Sequence, residues 1–187
     1  MPAKRSFRDL FNAAIGLLNK EDIEYVLIGG VASDIWGRPR KTLDVDIVLQ
    51  VLPRGYTDFL AKAQKHKFTF NYDKALRQLK NMGMCRLNYG GYHADFIMGY
   101  SEFEEVIFLR KRKVKIFDKV IWVASAEDVI LYKLLSNRPI DQSDIANIII
   151  AQGNKLDKHY LRIRARQMQK GLFRTDIKTG LEKALDE

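Results

Sequence analysis

The chain has 187 residues, 47% of them hydrophobic and 29% charged, which supports a packed core and excludes a disordered chain. Its formal net charge of +9 suits either a polyanionic partner or a surface decorated with Lys and Arg. The single cysteine, Cys85, excludes an internal disulfide and fits a reducing compartment.

The opening stretch MPAKRSFRDLFNAAIGLLNK has neither the apolar core nor the small-residue cleavage site of a signal peptide. No apolar run approaches the roughly 20 residues a membrane span needs, so a soluble cytoplasmic protein is expected. From Ser6 to Lys20, Phe7, Leu10, Phe11, Ala14, Ile15 and Leu18 recur at three- and four-residue steps, an amphipathic helix with Ser6 as its cap. Ile23 to Ile28 reads as a buried strand, Gly29-Gly30 as a turn, and Val31 to Trp36 as a short helix stopped by Gly37 and Pro39. Leu43 to Leu49 is a second buried strand. A helix follows from Gly55 through Ala63 and another from Asp73 to Met82, while Phe68 to Phe70 fits no single period. Met84 to Tyr89 and Tyr92 to Met98 are strands joined at Gly90-Gly91, a hairpin signal. Phe103 to Leu109 is helical, and Lys113 to Val123 holds one or two strands around Phe117-Asp118.

The texture then changes. Ser125 to Asp128 resembles a capping box with Asp in the usual Glu or Gln position, and it opens a helix through Leu135 that Arg138-Pro139 breaks. Asp141 to Gln152, Leu156 to Lys170 and Asp176 to Leu185 all read as helices. The expected architecture is a mixed α/β core over residues 1–124 with a helical subdomain over 125–187, without repeats or low-complexity linkers.

Chemistry concentrates in Tyr25 to Leu49. Asp44 and Asp46 stand two apart on a strand, so they share one face while Val45, Ile47 and Leu49 take the other. Two carboxylates pointing together repel unless a cation or water separates them, and hard divalent ions such as Mg²⁺ take oxygen ligands of this kind. Asp95 is a lone acid in another strand-like run and a third ligand for such a site. Two metals about 3.5–4 Å apart would activate an attacking oxygen and stabilise a leaving one in phosphoryl chemistry. Gly29-Gly30 offers backbone N–H groups to phosphate, and Arg38, Arg40 and Lys41 add cations just before the acids.

Gly29-Gly30, a short helix, Arg40-Lys-Thr42-Leu-Asp44-Val-Asp46 and a later strand acid together resemble the polymerase β-type nucleotidyltransferase superfamily. The resemblance covers about residues 23 to 98. Glu127 to Ile145, containing Lys133, Arg138, Asp141 and Asp144, looks like the segment after the core in minimal nucleotidyltransferases, including toxin components of abortive-infection toxin–antitoxin systems. The resemblance implies transfer of a nucleoside monophosphate from a triphosphate such as ATP, with release of pyrophosphate. By it, Asp44 and Asp46 hold two Mg²⁺ ions, and Asp95 ligates the catalytic ion and helps activate the acceptor hydroxyl. Gly29, Gly30, Ser33, Arg40 and Thr42 meet the nucleotide, and Lys133 reaches its triphosphate. Asp141 and Asp144 order the helix pair or Lys133. Apart from the resemblance, those three residues read as helix-end charges favoured by the helix dipoles.

The acceptor stays open between RNA, especially tRNA, a protein hydroxyl and a small molecule such as an antibiotic. A cognate antitoxin partner belongs to the toxin reading. The competing class is a nucleotide- or RNA-binding sensor or antitoxin that keeps the fold without turnover. His93 shares a strand with Asp95 and reads as structural, and His66 and His159 have no zinc spacing. Cys85 is expected to pack in the hairpin. The basic runs Arg110 to Lys115, and Arg162, Arg164, Arg166 and Lys170, are candidate RNA tracks.

Overall fold

The structure is a computed structural model that describes residues 5–136 and 138–186. Residues 1–4 of the leader reading and Asn137 of the helical motif lie outside them. The elements run α1 (Phe7–Lys20), β1 (Tyr25–Ile28), α2 (Gly29–Trp36), β2 (Asp44–Leu49), α3 (Tyr56–Lys65), α4 (Tyr72–Met82), β3 (Met84–Tyr89), β4 (Tyr92–Met98), α5 (Glu102–Arg110), β5 (Arg112–Ile116), β6 (Lys119–Val123), α6 (Ala126–Ser136), α7 (Pro139–Gln152), α8 (Lys158–Gly171) and α9 (Asp176–Asp186). The fold is mixed α/β. The residues divide into two compact units: those up to Leu27 together with Thr42–Val123, and Ile28–Lys41 together with those from Ala124 onward.

The first unit is built on a sheet with strand order β3-β4-β2-β1-β6-β5. β2 and β4 pair in parallel, as do β1 and β6, while the β3–β4 and β5–β6 hairpins are antiparallel. Gly90 and Gly91 turn the first hairpin with φ of 61° and 94°, a combination that side chains resist. Phe117 and Asp118, at φ 45° and 65°, turn the second. That left-handed pair splits the Lys113–Val123 run into two strands.

Period-two alternation and the strand register place Val45, Ile47, Leu49, Ala94, Phe96, Met98, Cys85 and Leu87 on one face of the sheet. All eight are buried, alongside Leu10, Phe11, Ala14 and Ile15 of α1 and Phe59, Leu60 and Ala63 of α3. Phe96 meets Phe59 and Phe68 edge-on, with ring centroids 5.1 and 5.8 Å apart, which fixes the centre of this core. The Phe68 to Phe70 stretch has no strand of its own. Thr69 makes a single bridge to Asn88. Ser6 and Asp9 close a reciprocal capping box at the head of α1, so the helix starts where its cap residue requires.

In the second unit α6 is buried nearly all round, from Ala126 to Leu134. Its acids are satisfied inside the unit. Asp128 accepts from Ser125 Oγ at 2.7 Å and from the Tyr160 hydroxyl at 2.5 Å, and Glu127 accepts from the Asp157 N–H at 3.1 Å. Pro139 is the first residue of α7 and not only a breaker, because a helix start needs no N–H at that position. Gly29-Gly30 is likewise not a separate turn. Gly29, at φ 66°, passes the chain from β1 straight into α2 without a linker.

Candidate active site

The sheet face opposite the core carries Asp44, Asp46 and Asp95. The register sets Asp44 beside His93 and Asp46 beside Asp95 on the parallel pair β2–β4. Across the antiparallel pair, Arg86 of β3 stands opposite Asp95. Asp95 therefore has an acid on one side and a base on the other, each one strand spacing away, about 4.8 Å. It makes a fork with the base. Arg86 Nε donates to one Asp95 oxygen at 2.7 Å and Arg86 Nη2 to the other at 2.6 Å. This is the bidentate geometry in which guanidinium and carboxylate bind most strongly. The Asp95 side chain is 9% exposed, whereas that of Arg86 is 52% exposed. Thr42 Oγ1 donates to Asp44 at 3.1 Å, and His93 Nε2 stands 3.7 Å from the second Asp44 oxygen.

The three carboxylates match a hard divalent cation in donor type and share one face of adjacent strands. Among the described residues, however, no three His, Cys, Asp or Glu side chains are grouped as ligands of one ion. Both oxygens of Asp95 are taken by the Arg86 fork. The donor chemistry fits Mg²⁺.

The second unit contains a different cluster. Lys133 of α6 is 95% buried, and its Nζ donates to Asp141 at 2.9 Å and to Asp144 at 2.6 Å. Arg40 forks Asp144 at 2.8 Å through both Nε and Nη2. Arg138 Nε donates to Asp141 at 2.7 Å, and Ser136 also donates to Asp141. Asp34 of α2 accepts the Arg40 N–H at 3.1 Å. Burial alone would raise Asp141, but hydrogen bonds from Arg138, Ser136 and Lys133 overcome it and hold the carboxyl far below its ordinary range. Asp144 behaves alike: burial raises it, and hydrogen bonds from Arg40 and Lys133 more than reverse that. For Asp34 burial wins, and its pKa rises despite the Arg40 N–H.

The remaining residues sort by the same accounting of partners. Ser33 is buried and its hydroxyl donates to the Gly29 carbonyl at 2.9 Å, one turn back along α2. Gly30 is buried with it. His66 faces Glu21 at 3.1 Å, and His159 is exposed on α8. Cys85 is buried, which pushes its thiol up to about 12 and leaves it inert. Of the basic runs, Arg112, Lys113 and Lys115 are exposed on β5, at the edge of the sheet. Lys111 and Lys113 lie over Trp122, each 4.8 Å from the ring centroid, and Lys111 also binds Glu24. On α8, Arg162 is paired with Glu182 at 3.0 Å and Arg164 donates to Gln167 at 2.8 Å, so these two do not form one exposed track.

Sequence reasoning passed over Arg86 and Asp34. Arg86 was within reach, since counting outward from a two-residue loop at Gly90-Gly91 sets it opposite Asp95. Asp34 carried no local signal, because its partner is a backbone N–H six residues on.

A family model described as a nucleotidyltransferase of unknown function (DUF6036) matches residues 5–177. The solution structure of the antibiotic-resistance factor ANT(2'')-Ia aligns over 87% of this chain and 92% of its own, with 14% identity and a TM-score of 0.60. The lincosamide antibiotic adenylyltransferase LnuA, in its lincomycin-bound crystal structure, aligns over 78% of this chain and 97% of its own, with 16% identity and a TM-score of 0.54. These likenesses establish a shared fold. No curated protein matches the chain. The chain belongs to the DUF6036 family and is a nucleotidyltransferase.

Proposed function

We propose that this nucleotidyltransferase moves a nucleoside monophosphate from a nucleoside triphosphate to an acceptor hydroxyl, with Mg²⁺ held by Asp44, Asp46 and Asp95. The observation that carries the proposal is the register of β2 and β4, which aligns Asp46 with Asp95 and sets Asp44 on the same face. The cation, when bound, supplies neutralisation of charge on the phosphates. The acceptor oxygen forms a bond to the α-phosphorus while the bond to the bridging oxygen breaks, and pyrophosphate leaves. The hydroxyl proton goes to a carboxylate, for which Asp95 is the nominee. Such chemistry depends on positioning and charge compensation, so it needs no nucleophilic side chain.

Gly29 and Gly30 are proposed to receive phosphate through their backbone N–H groups, with Ser33 holding that backbone through its bond to Gly29. Thr42 orients Asp44. Arg40 and Lys133 are proposed as positioning residues for the helical unit, because their charged atoms are already taken by Asp141 and Asp144.

RNA is proposed as the acceptor. Support comes from the exposed Arg112, Lys113 and Lys115 on an edge strand and from the net charge of +9. A small-molecule acceptor is the second reading, favoured by the fold likeness to two antibiotic-related proteins over more than nine-tenths of their length. A cognate antitoxin is part of the toxin form of the RNA reading. Incubation with α-³²P-labelled nucleoside triphosphates, Mg²⁺ and separate pools of RNA, protein and aminoglycoside or lincosamide antibiotics distinguishes them. Label in the RNA pool is the expected result. Label confined to antibiotics overturns the RNA reading, and nucleotide binding without any label overturns transfer.

A further inference from the structure

We propose that Arg86 competes with the divalent cation for Asp95, so that loading of the metal requires the Arg86–Asp95 fork to open. This inference rests on the assignment of Asp95 as a metal ligand. The geometry is specific. The fork takes both Asp95 oxygens, at 2.7 and 2.6 Å, while Asp46 lies in register on the other side of the same residue. A cation shared between Asp46 and Asp95 would meet a guanidinium already bound to one of its two ligands, and like charges on one carboxylate disfavour each other.

The two partners differ in what separation costs them. Asp95 is buried, with 9% of its side chain exposed, and its charge needs a cation at all times. Arg86, 52% exposed, can return its guanidinium to water by rotating its own side chain. An exchange in which the ion arrives as Arg86 leaves keeps Asp95 compensated throughout. Loss of Arg86 without a replacement does not. This distinguishes Arg86 from Thr42, whose bond to Asp44 holds a ligand without bringing a competing charge. The alternative role for Arg86, holding Asp95 aimed at the ion as hydrogen-bonded supports of metal ligands do, has the opposite consequence for affinity.

Binding of Mn²⁺, counted by electron paramagnetic resonance of the free ion without nucleotide, decides between them. The proteins compared are wild type, Arg86→Gln, Arg86→Lys, Arg86→Gln with Asp95→Asn, and Asp44→Asn with Asp46→Asn. Competition predicts that Arg86→Gln binds Mn²⁺ about tenfold more tightly than wild type, the scale of one charge-assisted hydrogen-bonded pair. It also predicts that Arg86→Lys falls between them and that adding Asp95→Asn removes the gain. In thermal melts, Arg86→Gln should melt below wild type without the ion and recover most of that loss with saturating Mn²⁺. Equal or weaker binding by Arg86→Gln, while Asp44→Asn with Asp46→Asn still abolishes binding, overturns the competition and leaves the site assignment standing. Binding indifferent to the Asp44 and Asp46 changes overturns the site assignment and the competition with it.

Discussion

Two groups of aspartates in this chain look alike in sequence and differ in what surrounds them. Asp44, Asp46 and Asp95 stand on strands, where the half-exposed Arg86 forks Asp95 and His93 stands 3.7 Å from Asp44. Asp34, Asp141 and Asp144 belong to the helical unit, where Lys133, Arg40 and Arg138 pair with Asp141 and Asp144 and the Arg40 N–H bonds Asp34. The first group gathers three carboxylates on one face of adjacent strands, the donor type that the proposed cation site needs. The second is compensated internally, which is what a structural network needs. Surroundings therefore separate the proposed site from the scaffold where residue type does not.

The largest expected effect breaks the first group. Asp44→Asn combined with Asp46→Asn should lower labelled nucleotide transfer by about 10²–10³-fold or more, the scale of removing transition-state charge stabilisation. Circular dichroism and melting should stay near wild type, because neither side chain is fully buried. A matched change in the second group should do the reverse. Lys133→Ala leaves Asp141 and Asp144 buried without their shared ammonium and should cost about 3–5 kcal/mol in urea denaturation. Replacing Lys133 by Met together with Asp141→Asn and Asp144→Asn should recover part of that loss.

The pH dependence sharpens the same contrast. Asp141 and Asp144 have folded-state pKa values below their unfolded ones. Their contribution is thus fully present above the ordinary carboxylate range, about pH 4, and is lost as pH falls toward the folded values. Urea midpoints should fall steeply below pH 4 in wild type and less steeply in Asp144→Asn. The smallest effect concerns the edge strand. Changing Arg112, Lys113 and Lys115 to Ser should leave stability within about 0.5 kcal/mol. If these residues contact RNA, the slope of log affinity against log salt should drop by about one for each contact removed.

Much of this arrangement is legible in the sequence. Alternation in Asp44 to Leu49 put both acids on one face, and the Gly90-Gly91 loop placed the hairpin, from which the register of Arg86 against Asp95 could have been counted but was not. Helix α1 announced itself through its spacing and its cap. What local sequence could not supply was the pairing of β2 with β4, since parallel neighbours are chosen by the whole sheet and not by a turn. The alignment of Asp46 with Asp95 rests on that choice. Lys133 was legible only through the resemblance, which set Asp141 and Asp144 to order it: by itself, a basic residue at a helix end looks the same whether its amine reaches solvent, a phosphate or two buried carboxylates. The start of α2 at Gly29 was missed because a glycine pair signals a turn, and only the positive φ at Gly29 shows that strand and helix join without one.

The sheet face of β2 and β4 is the proposed metal site. Anomalous diffraction at the manganese edge, from crystals of the wild-type protein soaked in Mn²⁺ and a non-hydrolysable nucleoside triphosphate, tests it most directly. The expected result is an anomalous peak coordinated by carboxylate oxygens of Asp44, Asp46 and Asp95, with Arg86 turned away from Asp95. A bound ion whose protein ligands include none of these three carboxylates would contradict it.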